Sequence, residues 1–312
     1  MDLSIVIVNW NTQALLQDCL HSVCEGLGSL RAEIIVVDNA SSDGSADMVR
    51  MGFPAVELME SKKNLGFAGG NNIALERAKG RYVLLLNTDT LVHGSVLPDA
   101  VAWMDQHLEV GVMGPRVLNS DGSVQASCSA FPSLRFLTLQ TLGLTRLARW
   151  DAYRMTGWDR STERHVDVIS GAAMFVRTSA MRKVGLLDEA FFFYGEETDW
   201  CRRFARAGWE IVFVPIKEIT HFGNGSAAKL NHRRDVMMTE GTTRFHLKHG
   251  GFRAGIACFG ILAVHNMSRA IFWSVLLMVN RPGARVRAKH FARVVADLPK
   301  AWPSARREVA RQ

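Results

Sequence analysis

Cysteine is scarce in this 312-residue sequence, and its five cysteines form neither a CxxC pair nor a regular framework. A disulfide scaffold is therefore excluded, and we expect reduced, cytosolic thiols that pack in the interior. A basic leader with a cleavage site is also missing before residues 3–8, which predict a first strand rather than a signal peptide. Low-complexity segments and internal repeats are absent, so we expect a globular protein with one large domain or two modest ones.

Two common nucleotide-binding fingerprints are missing as well. The glycine-rich residues 64–72 contain neither the Gly-Lys-Ser/Thr of a P-loop nor the GxGxxG of a dinucleotide site. They still suit a phosphate group, because glycines allow close backbone approach and a helix expected at 71–78 attracts anions to its N-terminus. A plain turn explains the same residues equally well.

No apolar run is long enough to cross a membrane without interruption. Residues 256–264 and 270–279 are apolar, but polar residues between them, Arg269 included, interrupt the run. A spanning helix needs about 20 apolar residues, and a central Arg is costly in lipid. With the basic residues 281–293 beside it, we expect a helix that lies on the membrane surface. The alternative is packing on the protein's own core or on a second subunit.

Charge is distributed unevenly along the chain. Residues 241–312 carry 13 Lys and Arg against 2 Asp and Glu, a net charge of +11 that leaves −4 for residues 1–240. Basic segments bind polyanions, either nucleic acid or an anionic membrane. Because a nucleic-acid-binding motif is missing, we expect the membrane and no nucleic acid. The predicted domains are 1–240 and a basic helical segment, 241–312.

Strands and helices alternate through the first part of the chain. This order predicts an α/β fold with a Rossmann-like, mostly parallel sheet and helices on both faces. Strands are expected at 3–9, 33–38, 56–60, 82–87 and 111–114, with helices at 12–25, 45–51, 71–78 and 98–107. After an irregular insertion at 119–165, strands are expected at 166–176 and 210–214, with helices at 179–184 and from about 196 to 207.

Polar residues follow two of these strands. The strand at 82–87 ends in Asn87-Thr88-Asp89, and in open α/β sheets ligands collect at the carboxyl ends of strands. Asn87 and Asp89 suit a divalent cation together with phosphates, although a turn cap is the simpler alternative. Asp38 ends another strand, where it can accept a hydrogen bond from a nucleobase. Asp43 lies close by in sequence, but it also suits helix capping.

Three carboxylates, Glu196, Glu197 and Asp199, follow the aromatic residues 191–194. Acids in a first helical turn complement the helix dipole, which is the structural explanation. A partly dry aromatic wall also suits a general base. His221 is a candidate metal ligand, although a lone histidine is more often structural.

Five segments in this order resemble the inverting, GT-A-fold family 2 glycosyltransferases, and among them the bacterial rhamnosyltransferase-like branch. They are residues 4–11, 36–45, 64–72, 86–89 and 193–199. The resemblance covers roughly residues 3–225. It implies a nucleotide-sugar-binding half, 1–115, and an acceptor or catalytic half, 116–240.

The resemblance implies a role for each matching residue. Asp89 and His221 would hold Mg²⁺ or Mn²⁺ on the diphosphate, and Asn87 replaces the first carboxylate of the family's DxD motif. Glu197 aligns with the catalytic base, usually Asp in the family, so Glu196 remains an alternative. Glu196 and Asp199 would bind or orient the acceptor. The implied nucleotide-sugar-binding residues, with Asp38 on a pyrimidine base, are Asn9, Asn11, Asp38, Asp43, Gly66, Asn71, Asn72, Asn87 and Asp89.

The implied reaction is a single displacement that inverts the anomeric carbon. We expect transfer of L-rhamnose from dTDP-rhamnose to a lipid-linked or cell-surface glycan, in cell-wall or polysaccharide biosynthesis. UDP-glucose, UDP-galactose and UDP-galactofuranose are alternative donors, and a non-catalytic nucleotide- or membrane-binding module is a distant alternative. The expected location is cytoplasmic, at the inner face of the membrane, with a homodimer possible.

Overall fold

The computed structural model describes residues 1–146, 153, 155, 157–223 and 231–303. Outside the described residues lie 147–152, 154 and 156 of the predicted insertion, 224–230 of the predicted catalytic half and 304–312 of the predicted basic segment. The chain divides into two compact units. The first unit comprises Met1–Phe131, Arg154–Phe192 and Glu196–Gly225, and the second Pro132–Tyr153, Phe193–Gly195 and Ser226–Gln312.

Strands and helices alternate in the described part of the chain, as expected. The earlier elements are β1 (Leu3–Asn9), α1 (Gln13–Gly26), β2 (Ala32–Asp38), α2 (Ser45–Gly52), β3 (Glu57–Glu60), α3 (Gly66–Leu75), β4 (Tyr82–Asn87), β5 (Thr90–Val92), α4 (Val96–Gln106), β6 (Val110–Leu118), β7 (Cys128–Ser129) and α5 (Leu134–Thr141). The later ones are β8 (Arg164–His165), β9 (Val168–Ile169), β10 (Ala173–Arg177), α6 (Thr178–Val184), α7 (Glu196–Arg206), β11 (Glu210–His221), α8 (His232–Met278) and α9 (Ala284–Asp297).

One large sheet forms the centre of the first unit, with the strand order β3-β2-β1-β4-β10-β6-β11-β5 and β8 pairing with β11. Strands β3, β2, β1, β4, β6 and β11 run in the same direction, whereas β10, β5 and β8 run against them. The mostly parallel α/β sheet is therefore confirmed. Asn9 pairs in register with Asp38, and Val8 with Asn87, so three polar strand ends meet at one edge.

Helices cover both faces of this sheet because its central strands are apolar on both sides. In β1, Leu3, Ile5 and Ile7 join the core under α1, α2 and α4. Val6 joins the opposite core, which contains residues of α3, α6 and α7. Alternate residues of a strand point to opposite faces, so a continuous apolar run is the sequence mark of a strand buried on both sides.

Several elements of the first unit differ from the sequence-based predictions, among them β6, which runs to Leu118 rather than 114, and the unpredicted strands β5, β7 and β8. Helix α3 begins at Gly66, so the glycine-rich residues form its first turns rather than a loop before it. The strand predicted at 166–176 is divided into β9 and β10, because residues 170–172 turn between them. Strand β11 continues to His221, past the predicted end at 214, after an irregular stretch between Val214 and Ile219.

All five cysteines are free, and four of them are buried. Burial raises the pKa of the Cys19 and Cys201 thiols to about 12, so both remain neutral. A buried neutral thiol packs as a small apolar group and is chemically inert. The four buried cysteines therefore fill the interior, as expected, whereas Cys24 is exposed.

The second unit contains the long helix α8, which is kinked at Gly251, where φ is +82°. Both predicted apolar stretches belong to this helix, and by length and composition alone it can cross a membrane. The shortness of each stretch is therefore no argument against crossing. The predicted domain boundary after residue 240 falls inside α8. Helix α9 is tied to α8 by His290 Nε2, 2.9 Å from Asp235 Oδ2, and is a second helix of the basic segment.

Arg177, at the end of β10, links the sheet to α4 and is nearly buried. Its guanidinium donates hydrogen bonds to the backbone oxygens of Val110, Met104 and His107 at 2.7–2.8 Å, and to the Tyr82 hydroxyl at 3.2 Å. Met104 and His107 lie at the C-terminal end of α4, whose last carbonyls have no partner within the helix. The Arg177 side chain therefore satisfies backbone carbonyls at the end of α4 and at the start of β6.

We expect Arg177→Met to lower the free energy of unfolding by about 2–4 kcal/mol, because the apolar stem is kept while buried carbonyls lose their donors. Urea unfolding of the purified protein would measure the change. Arg182→Met, at an exposed position of α6, is the control and should change stability by less than about 0.5 kcal/mol. Equal midpoints for the two variants would contradict the assigned role of Arg177.

Candidate active site

The polar edge of the sheet begins with Asp38, which is 4% exposed. Its Oδ1 accepts a hydrogen bond from Asn9 Nδ2 at 3.2 Å, and its Oδ2 accepts one from the Ser41 backbone at 3.0 Å. Asn9 is fully buried, and its own Oδ1 accepts a hydrogen bond from the Thr12 hydroxyl at 2.7 Å. Asn9 therefore orients Asp38 from inside the protein.

Asp43 and Asn11 hold the neighbouring loops together. Asp43 accepts hydrogen bonds from the backbone amides of Gln13 and Ser45, the first residues of α1 and α2, at 2.9 and 3.1 Å. Burial acts to raise the pKa of Asp43, but these bonds and the Ser45 hydroxyl outweigh it and lower that pKa. Asn11, with φ +54°, accepts from the Ser42 amide at 2.8 Å. Asp43 thus satisfies the first amides of α1 and α2, and its predicted contact with the nucleotide remains a prediction.

Asn87, Asp89 and His221 come together at the end of β4. His221 Nε2 lies 3.1 Å from Asp89 Oδ1 and 3.4 Å from Asn87 Nδ2. The extension of β11 makes this possible, because it pairs His221 with Thr90. Asp89 is only 6% exposed, and its backbone oxygen accepts from the Phe222 amide at 2.9 Å. Residues more than 130 positions apart in the sequence thus form one cluster.

Sequence reasoning missed Gln125, which fixes the His221 ring. Gln125 Oε1 lies 2.8 Å from His221 Nδ1, and Gln125 Nε2 donates to Asn119 Oδ1 at 2.8 Å, which fixes the orientation of the amide. Gln125 therefore fixes the orientation of the His221 ring, whose Nε2 faces Asp89. No motif marks Gln125, because its partner lies 96 residues away.

The donor set fits a divalent cation that a ligand helps to bind. His221 Nε2 and Asp89 Oδ1 lie 3.1 Å apart, and adjacent ligands of a six-coordinate ion are about 3 Å apart. Among the described residues, no group of three or more His, Cys, Asp and Glu side chains is arranged to hold a metal alone. Such a pair suits Mg²⁺ or Mn²⁺, which take further oxygens from phosphates.

The first turn of α3 is already hydrogen-bonded to protein. The backbone amide of Leu65 donates to Asn39 Oδ1 at 2.8 Å, and that of Gly66 donates to Asn64 Oδ1 at 2.9 Å. The amide of Phe67 donates to the backbone oxygen of Phe192 at 3.0 Å. Amides used in this way are not offered to a phosphate, so the expectation that Gly66 binds nucleotide has no support here. Asn39, which follows Asp38, was missed because its partners lie 25–27 residues away.

Asn71 and Asn72 also point into protein rather than toward solvent. Asn71 is 2% exposed and donates to the Phe67 backbone oxygen at 2.8 Å. Asn72 is 6% exposed, and its amide group contacts Leu187 and Glu189. Their predicted contact with the nucleotide sugar remains a prediction, and the contacts in the structure are to the protein.

The three acidic residues of α7 differ in exposure. Glu196 is 3% exposed and Glu197 is half-buried, both in the first turn. Asp199 is completely buried and accepts a hydrogen bond from Arg203 Nε at 2.9 Å. Arg203 in turn donates to the backbone oxygens of Val184 and Leu186. Asp199 therefore holds Arg203 and the loop before α7, and its predicted contact with the acceptor remains a prediction.

Comparison with protein families identifies the family to which this chain belongs. The profile described as "Glycosyl transferase family 2" matches residues 4–185, more than half of the chain. The chain belongs to this family. It is therefore a glycosyltransferase, and the resemblance to this family is confirmed; four of the five segments lie within the matched residues.

Two named proteins are similar in sequence to this glycosyltransferase. The Mycobacterium tuberculosis H37Rv N-acetylglucosaminyl-diphospho-decaprenol L-rhamnosyltransferase is 30% identical over 202 residues, 60% of this chain and 66% of the relative. The Haloferax volcanii low-salt glycan biosynthesis hexosyltransferase Agl10 is 26% identical over 70% of this chain and 67% of its own. The match to the mycobacterial relative thus spans slightly less than two thirds of its length.

Solved structures share the fold of this glycosyltransferase. The Pyrobaculum calidifontis mannosyltransferase PcManGT, in complex with GDP-Man and Mn²⁺, superposes with a TM-score of 0.57 at 16% identity, over 96% of this chain and 86% of that one. Residues 1–349 of Staphylococcus aureus TarS superpose with a TM-score of 0.52 at 14% identity, over 99% and 94%. The likeness is one of fold, and the fold is GT-A.

We expect Gln125→Leu to weaken Mn²⁺ binding in the presence of UDP by about 10–100-fold, because the His221 ring loses the contact that fixes its orientation. Calorimetric titration of Mn²⁺ into the protein with UDP measures the affinity without any turnover. Gln106→Leu, at an exposed position of α4, is the matched control and should bind as the unchanged protein does. Unchanged affinity in Gln125→Leu would show that the contact does not support a metal ligand.

Proposed function

We propose that this glycosyltransferase transfers a sugar, with inversion and with a divalent metal, from a nucleotide donor to a lipid-linked or cell-surface glycan. L-Rhamnose from dTDP-rhamnose is the sugar we favour. The observation that carries the proposal is the Asn87, Asp89 and His221 cluster at the carboxyl edge of a family 2 sheet. The name of the mycobacterial relative, a rhamnosyltransferase with a diphospho-decaprenol substrate, supports the sugar and the lipid-linked acceptor.

Donor binding is assigned to the polar edge of the sheet. Asp38 would accept a hydrogen bond from the pyrimidine base, since a carboxylate has lone pairs beyond those used by Asn9 and Ser41. Asp89 and His221 would hold Mg²⁺ or Mn²⁺. When bound, that ion neutralises charge that builds up on the departing diphosphate. Asn87 adds a neutral amide beside them, so the site carries less negative charge than a pair of carboxylates.

Glu197 is the residue we assign as the base. A base must reach the acceptor hydroxyl, and Glu197 is half-buried whereas Glu196 is 3% exposed. Its carboxylate would take the proton as the hydroxyl oxygen attacks the anomeric carbon from the face opposite the diphosphate. Glu196 would then orient the acceptor or Glu197.

A related donor is the second candidate. TarS, which has the same fold and is named a poly(ribitol-phosphate) β-N-acetylglucosaminyltransferase, has been solved with UDP. UDP-glucose, UDP-galactose and UDP-galactofuranose therefore remain alternative donors. A non-catalytic binding module is disfavoured by the carboxylates at 196 and 197.

We expect Glu197→Gln to lower the transfer rate by about 10²–10⁴-fold without weakening dTDP or UDP binding, because only proton transfer is lost. Transfer should be assayed with dTDP-rhamnose and the three UDP-sugars, each with Mn²⁺, after a thermal-shift screen of the same donors. Glu163→Gln, at an exposed position, is the control and should keep full activity. Full transfer by Glu197→Gln would show that another residue is the base. Thermal stabilisation by UDP-sugars but not by dTDP-rhamnose would show that rhamnose is not the donor sugar.

Two features of the second unit support our proposal that the protein binds an anionic membrane on the cytoplasmic side. Only 6% of the most apolar window of α8 is buried, and exposed apolar side chains continue along it. These are Phe252, Ile256, Val264, Met267, Ile271, Phe272, Val275, Leu277 and Met278. Exposed basic side chains lie on α9 and just before it. These are Arg281, Arg285, Arg287, Lys289 and Arg293. Apolar surface beside positive charge is the combination that binds anionic bilayers.

We expect replacement of these five basic residues by Gln to weaken binding to phosphatidylglycerol vesicles by about 10²-fold or more, since each charge near the surface contributes about 1 kcal/mol. Co-sedimentation with vesicles measures the binding, and phosphatidylcholine vesicles should show little difference. The matched control replaces five exposed basic residues of the first unit by Gln. These are Lys62, Lys63, Arg77, Lys79 and Arg182. Equal losses in both variants would point to net charge rather than to this surface.

A further inference from the structure

The Asn72 side chain forms two hydrogen bonds with the backbone of Leu187, as a neighbouring strand would. Leu187 lies in the segment that precedes α7. Asn72 Oδ1 accepts from the Leu187 backbone amide at 3.1 Å, and Asn72 Nδ2 donates to the Leu187 backbone oxygen at 2.9 Å. The same Nδ2 donates to Glu189 Oε1 at 2.9 Å. Asn72 and Leu187 are 6% and 4% exposed, so these bonds are made away from water. A neutral amide thus satisfies both backbone groups of Leu187.

The other end of the same segment is held by the start of α3. The Phe67 amide donates to the Phe192 backbone oxygen at 3.0 Å. Gly66 has φ +73°, and a Cβ added there would lie 2.2 Å from that oxygen. Only glycine allows this approach, because any side chain at residue 66 would both strain the backbone and displace Phe192. Helix α3 therefore holds residues 187–192 at both ends.

We propose that α3 is a clamp that positions the catalytic base. The inference rests on the proposed function, in which Glu197 is the base. Residues 187–192 end four residues before Glu196, so their position sets where α7 begins. Asn72 and Gly66 are then positioning residues that do not touch substrate. The amides at the start of α3 are bonded to protein, which disfavours the alternative of a phosphate cradle.

The clamp also connects the base to the donor pocket. Asn39 donates to the Gly66 backbone oxygen at 3.1 Å and accepts from the Leu65 amide at 2.8 Å. Asn39 directly follows Asp38, the residue assigned to the nucleobase. One short helix thus contacts the loop at the nucleobase and the segment before the base. The distance between donor and base is thereby set through α3.

We expect Asn72→Ala to lower kcat by about 10²-fold while the affinities for UDP and dTDP with Mn²⁺ stay unchanged, because a small displacement of the base slows the reaction without touching the nucleotide. The control is Asn266→Ala, which removes an equally buried asparagine whose amide donates to the Leu262 backbone oxygen within α8. Weaker nucleotide binding with kcat unchanged would overturn the clamp in favour of a phosphate cradle.

Gly66→Ala should have the same effect through the other end of the segment. Its control is Gly208→Ala, because Gly208 has a comparable φ of +83° but open space where the Cβ would lie. A loss of kcat confined to Gly66→Ala assigns the effect to Phe192 rather than to backbone strain. Equal losses in the two variants would contradict the clamp at this end.

Hydrogen exchange provides a readout that does not depend on turnover. The Leu187 amide donates to Asn72, so Asn72→Ala should speed exchange in residues 187–192 by about tenfold and leave the Asn9–Asp38 region unchanged. Absence of this change would overturn the clamp even if activity fell. Faster exchange in a protein that transfers sugar from none of the four donors would instead confirm that α3 holds residues 187–192 but refute the proposed function, and with it the positioning of a base.

Discussion

The parallel, in-register pairing of β1 with β2 and β4 is the constraint on which the site depends. It brings Asn9, Asp38 and Asn87 to one edge of the sheet, so that residues far apart in sequence become neighbours. The apolar runs that form these strands are buried on both faces of the sheet. The position of the proposed donor site is therefore a consequence of how these strands pair and pack.

Asparagine amides, more than charges, connect the loops around this edge. Asn9 orients Asp38, Asn39 holds the start of α3, and Asn72 holds the segment before α7. An amide donates and accepts at once, and its burial avoids the desolvation cost of an ion. Carboxylates can then be reserved for positions where a proton or a cation is handled, namely Asp89 and Glu197 in the proposed mechanism. Asp199 is the exception, since its partner Arg203 neutralises it inside the protein.

Local patterns predicted the parallel strands β1 to β4, the order of the motifs and the meeting of strand ends, because these follow from apolar periodicity and turn residues. The contacts that complete the site could not be predicted in this way. Gln125 approaches His221 across 96 residues, and Asn72 approaches Leu187 across 115. The helical start of α3 was missed because glycines are poor helix formers in isolation. Their value lies in close approach to Phe192 and Val8, which only the folded chain reveals.

The pairing of β11 after its irregular stretch determines which side of the sheet receives the histidine. Val214 pairs with Pro115 and Ile219 with Val117, so β11 uses five steps where β6 uses two. The three extra residues of β11 are accommodated before the pairing of Ile219, Thr220 and His221 with β5 begins. Because side chains alternate along a strand, that later pairing sets the face on which the His221 imidazole lies, beside Asp89.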